Sequence, residues 1–115
     1  MNIGIVGSRR RTTKDDFNKV KDAFDKIYQA QRKDWIISGG CPEGGDNFAK
    51  LIARYTGCPI LIFHANWKRY GRQAGFLRNW DIAKNSDILI ACVAPDRKGG
   101  TEDTIKKFKG ELILV

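Results

Sequence analysis

Apolar residues in this chain fall into two alternating patterns. Short, nearly unbroken apolar runs mark five strands: Asn2–Val6, Trp35–Ser38, Pro59–Phe63, Asp87–Val93 and Glu111–Val115. Between them, apolar residues recur at helical spacing. The first such stretch, from about Thr13 to Gln31, repeats Phe17, Val20, Phe24, Ile27 and Tyr28 on one face. Thr13 with Asp16 three residues later has the form of a capping box. A second helix starts near Gly45-Asp46, carries Phe48, Ala49, Leu51, Ile52 and Tyr55, and stops at Gly57. A third spans Ala74–Asn85, after a polar, aromatic-bearing loop over His64–Arg72. The fourth opens at Thr101, a suitable N-cap, and ends by Gly110.

Strands alternating with helices through short connections predict an α/β domain of three layers. The sheet is expected to be five-stranded and mostly parallel, in the order 3-2-1-4-5, with helices on both faces. The run Asp87–Val93 is apolar throughout, which predicts a central strand. Ligands of such sheets bind outside the carboxyl ends of the strands, near the point where strand order reverses. Three turns follow strands and should meet on that rim: Gly7-Ser8-Arg9, Ser38-Gly39-Gly40 and Gly99-Gly100-Thr101. The last two each end a strand and open a helix. Glycines there let a ligand approach the backbone, and the free amides of the following helix hold an anion.

Composition narrows this picture. A chain of 115 residues predicts one domain with a real core, and 30% charged with 42% hydrophobic residues excludes a disordered chain. No apolar run reaches the length of a membrane span, and Ile3–Val6 is too short for a signal peptide, so a cytoplasmic protein is expected. Cys41, Cys58 and Cys92 are odd in number and form no CxxC pair, which argues against a disulfide framework or a zinc site. The formal charge of +8 favours anionic partners, and it is spread over short clusters such as Arg9-Arg10-Arg11 and Lys68-Arg69. Arg10 and Arg11 read as solvated.

Several chemistries are excluded by pattern. The first turn lacks the G-x-G-x-x-G spacing of a dinucleotide site, and no G-x-x-x-x-G-K-[ST] loop or G-x-S-x-G elbow occurs. His64 is the only histidine, so a Ser–His or Cys–His dyad would depend on it alone, and no pattern supports one. No metal site, catalytic residue or cofactor is expected.

Four separated segments resemble a known family: Gly7-Ser8-Arg9; Ser38 through Asp46; Ala65-Asn66-Trp67 with Gly71 through Asn79; and Gly99 through Thr104. Together they resemble the YspA-like branch of the SLOG superfamily, in order and over nearly the whole chain. The resemblance implies a Rossmann-like fold that binds a nucleotide or nucleotide-derived signal. It also implies a homo-oligomer. The segment from Arg78-Asn79 to Gly99-Gly100-Thr101 is similar to the signature of the LOG phosphoribohydrolases, members of the same superfamily. Arg78 and Thr101 match that signature, but the position of its catalytic glutamate is held by Thr104. The implied class is therefore binding by a sensor, carrier or sequestering protein rather than N-glycosidase chemistry. Nucleic-acid binding, as in the related DNA-processing protein DprA, ranks third because the basic residues form no DNA-reading motif.

The expected ligand contacts are Gly7, Ser8, Arg9, Ser38, Gly39, Gly40, Asp46, Trp67, Arg72, Arg78, Asn79, Gly99, Gly100, Thr101 and Thr104. Ser8 and Arg9 end the first strand, where a guanidinium can pair bidentately with phosphate. Asp46 either caps the second helix or accepts a ribose hydroxyl. Trp67 either stacks on a base or covers the core. Asp96-Arg97-Lys98 reads as a flexible, cationic lid.

Overall fold

The computed structural model describes residues 1–115. The strands are β1 (Asn2–Gly7), β2 (Trp35–Gly39), β3 (Ile60–Phe63), β4 (Ile88–Cys92) and β5 (Glu111–Leu114). The helices are α1 (Lys14–Ile27), α2 (Gly45–Thr56), α3 (Trp67–Tyr70), α4 (Ala74–Asn85) and α5 (Gly100–Lys107). The sheet runs β3-β2-β1-β4-β5 and every pairing is parallel. The α/β reading and the strand order 3-2-1-4-5 hold. No helix is long and apolar enough to cross a membrane.

Alternation along the strands splits the core into two layers. Ile3, Ile5, Ile36 and Ile90 pack under α1 and α2, against Val20, Phe24, Phe48 and Ile52. Val6, Ile37, Leu89 and Ala91 face the other way, against Ile82 of α4, with Ile105 of α5 packed on that cluster. Every residue of β4 is buried, as its unbroken apolar run requires.

Local differences from the sequence reading have local causes. α1 begins as expected, with Thr13 and Asp16 forming a reciprocal capping box. It ends at Ile27 rather than Gln31, and a 3-10 turn covers Ala30–Arg32. The buried carboxylate of Asp34 draws the chain out of the helix there. It accepts the Gln29 amide at 3.0 Å and both Nε and a terminal nitrogen of Arg32 at 2.7 and 2.8 Å. The expected loop His64–Arg72 contains α3, whose first turn is capped by the Asn66 side chain. The last helix takes Gly99 rather than Thr101 as its N-cap, placing Thr101 inside the first turn.

Asp34 also gives the fold an acid limb. Hydrogen bonding from Arg32, backed by the Gln29 amide, holds its carboxyl at about 2, below the ordinary 3.8. A depressed acid stabilises the folded state fully above its unfolded value and loses that contribution as pH falls through the folded value. For Asp34 the loss runs from about pH 4 down to about pH 2 and amounts to about 2 kcal/mol. Urea midpoints measured between pH 7 and pH 2 should fall steeply in that window. In Arg32→Gln the fall should be shallower, and an unchanged profile would contradict the assignment.

Candidate ligand cavity at the strand ends

The chain leaves β1 toward β2 and leaves β4 toward β5, so strand order reverses between these two adjacent strands. Their carboxyl ends are held together by the Ser8 amide, which donates to the Cys92 carbonyl at 2.8 Å. The start of α2 closes in from one side. A Cβ on Gly45 would lie 2.3 Å from the Gly7 nitrogen and 2.4 Å from the Val6 carbonyl carbon. Gly44 adopts φ +70, and a Cβ there would meet the Ser8 carbonyl oxygen at 2.2 Å. Two glycines thus let a helix terminus sit directly on the backbone of β1.

Capping distinguishes the helices. α1 and α3 have side-chain caps. α2 and α5 have glycine N-caps and no side-chain cap bond. Their opening amides are donors that no capping side chain satisfies.

A cavity of about 410 Å³ opens at this point. The end of β1 contributes Val6, Gly7, Ser8, Arg9 and Arg10; α2 contributes Asp46; α4 contributes Arg78, Asn79 and Ile82. The segment before α5 and its first turns contribute Lys98, Gly99, Gly100, Thr101 and Thr104. Only Val6 and Ile82 are hydrophobic, so a polar guest is suited to the walls and its volume is that of a small molecule.

The polar groups are positioned by one another. Asn79 is buried; its Oδ1 accepts from Arg78 Nε at 3.0 Å, and its Nδ2 donates to Asp103 at 3.1 Å and toward the Gly100 carbonyl at 3.4 Å. It therefore fixes the Arg78 head and ties α4 to the start of α5. Asp46 is buried, accepting from Ser38 Oγ and from the Cys41 amide, each at 3.1 Å. Burial raises its pKa, while the Cys41 amide, the charge of Arg78 and the Ser38 hydroxyl oppose the rise. Arg9, Arg78 and Lys98 form no salt bridge, whereas Arg10 is paired with Asp96. Asp46 is the sole carboxylate on the walls, so cationic charge predominates.

Ten of the fifteen expected contacts line this cavity: Gly7, Ser8, Arg9, Asp46, Arg78, Asn79, Gly99, Gly100, Thr101 and Thr104. Five do not. Ser38 is buried behind Asp46. Gly39 leaves room for the Arg78–Asp46 juxtaposition, since a Cβ there would lie 2.5 Å from the guanidinium and 2.7 Å from the carboxylate. Gly40 lies beside the His64 ring. Trp67 is 56% exposed and borders Gly75 at the start of α4. Arg72 is exposed on the turn before α4. Asp46 does not cap α2, whose N-cap is Gly44.

Neither Arg10 nor Arg11 is simply solvated. Arg10 lines the cavity and pairs with Asp96. Arg11 is partly buried, with Nε 2.6 Å from Asp16 and a terminal nitrogen donating to the Val93 and Val115 carbonyls at 2.7 and 3.0 Å. Glu102 pairs with Arg97, Asp103 pairs with Lys107, and neither reaches the cavity wall.

Comparisons of the chain with family models, with curated proteins and with solved structures found no match. Its function is read from this geometry.

A second surface stands apart. Tyr70, Leu77, Trp80, Asp81 and Lys84 line a groove on the outer side of α4, and Trp80 is 46% exposed. Lys107 stands 5.3 Å from the ring centres of both Phe76 and Trp80. With nearly half of its surface exposed, Trp80 is not a core residue.

Proposed function

We propose that this protein binds a phosphate-bearing nucleotide, or a small molecule derived from one, in the cavity between the ends of β1 and β4. The reading rests on one observation: a small-molecule-sized cavity at the reversal point of a parallel sheet has cationic, almost wholly polar walls, two of whose elements open with uncapped helix amides. Such amides and fixed guanidinium groups suit phosphate oxygens. Arg9 and Lys98 supply exposed charge without an ion-pair partner, and Arg78 supplies a guanidinium oriented by Asn79. Asp46 is the wall group suited to accept from a sugar hydroxyl. Self-association, which the family resemblance implies, belongs to the same proposal.

Binding is favoured over glycosidic cleavage because Thr104 stands where the similar enzymes carry glutamate, while the neighbouring acids Glu102 and Asp103 are engaged elsewhere. The role that fits is a sensor, carrier or sequestering protein. Titration calorimetry against mononucleotides, cyclic nucleotides and ADP-ribose derivatives tests the proposal. One class should bind with micromolar affinity that weakens with salt. Silence across the panel from folded protein would overturn the proposal, and release of free base from a nucleoside monophosphate would move it to the enzyme reading.

A further inference from the structure

Arg10 lies on the cavity wall, yet both of its terminal nitrogens are committed to Asp96, one 3.1 Å from Oδ2 and the other 2.5 Å from Oδ1. The second also approaches the Lys98 carbonyl at 3.4 Å. Asp96 Oδ1 in turn accepts the Lys98 amide at 3.1 Å. This clasp joins the segment after β1 to the segment between β4 and α5, and Lys98 and Gly99 next to it are themselves cavity wall. Between the two clasp residues of that segment, Arg97 adopts φ +55, a costly conformation for a side chain of its size. Its guanidinium is held by Glu102 through two contacts of 2.9 Å. The segment is therefore fixed by ion pairs at a backbone position that resists its conformation.

A carboxylate at this place is already an anion on one of the cavity's cations. Asp96 and Arg10 are each about half exposed, so the pair is weak and open to exchange. A phosphate offers the same bidentate geometry with more charge. Building on the cavity's reading as a phosphate site, we infer that Asp96 is an internal competitor for the anionic ligand. It holds Arg10 until a phosphate replaces it, and that exchange removes one of the two ion pairs that hold the segment Pro95–Gly99. Asp96 thereby sets affinity without touching the ligand; it is a positioning residue acting through Arg10.

The test combines Asp96→Ala, Arg10→Ala and the double variant, with inorganic pyrophosphate and AMP as probes. Asp96→Ala should tighten binding about two- to five-fold, the range an exposed ion pair spans. Arg10→Ala should weaken it, and adding Asp96→Ala to Arg10→Ala should change nothing further. Without any probe, the Lys98 amide should exchange its hydrogen faster in Arg10→Ala, which keeps the Asp96 acceptor, than in the parent. Equal tightening with and without Arg10 would overturn the inference, since Asp96 would then act through general charge. An unchanged Lys98 exchange rate would overturn the hold on the segment. Binding by the parent that Asp96→Ala leaves unaltered would defeat this inference alone. No binding by any protein, the parent included, would defeat the cavity reading as well.

Discussion

Arg78→Ala should weaken nucleotide binding by about 10- to 100-fold while leaving the protein folded. The guanidinium is partly buried and forms no salt bridge, and its Nε is spent on Asn79. The hydrogen bond its terminal nitrogens make is a long one, 3.5 Å to the Phe63 carbonyl, so the head is available to a ligand. A hydrogen bond to a charged group contributes about 1.5–3 kcal/mol, which sets the expected loss. Removal has a second effect. Asp46 loses the one positive charge among the groups that offset its burial, leaving a carboxylate held by the Cys41 amide and the Ser38 hydroxyl beside an anionic ligand. Arg78→Lys restores charge without the planar fork and should recover only part of the affinity. Calorimetry gives the affinities and thermal melting checks the fold. Affinity within about two-fold of the parent, with the fold intact, would exclude Arg78 from the site.

The second large effect is on stability. Gly45→Ala should cost several kcal/mol, more than the 1–3 kcal/mol usual for overpacking, and so take much of the ~5–15 kcal/mol that holds a domain folded. The added carbon meets Gly7 nitrogen and Val6 carbonyl carbon, both backbone, and neither can rotate away. Gly100→Ala is the contrast. Nothing lies within 4 Å of a Cβ there, and the position opens a helix, where alanine is well tolerated. Its melting temperature should stay close to the parent's. Any loss of nucleotide binding in Gly100→Ala is then a ligand effect. A Gly45→Ala protein that melts with the parent would contradict a tight α2–β1 seat.

The fold was legible because its signals are local and repeated. Asn2–Val6 and Asp87–Val93 are too apolar to be anything but interior strands, and Ala74–Asn85 matches the extent of α4. Turn glycines also read well where the backbone itself forms the wall, as at Gly7, Gly99 and Gly100. They misread where the glycine makes room for something remote. Gly39 announces that a side chain is forbidden, but only the fold brings Arg78 and Asp46 into the space. The three consecutive arginines make the same point. Arg9 is left without a salt bridge, Arg10 meets Asp96, and Arg11 meets the Val93 and Val115 carbonyls, partners more than eighty residues away in sequence. Their shared chemistry in the sequence conceals three separate tasks.

The seating of α2 on bare β1 backbone has a mechanical corollary. With no side chain between the two elements, that jaw of the binding cleft has no slack to take up. The opposite jaw is tethered through exchangeable charges on a segment of left-handed and glycine residues. If the cavity takes the guest proposed for it, travel on capture would come from the tethered side, with the fixed side as its anvil.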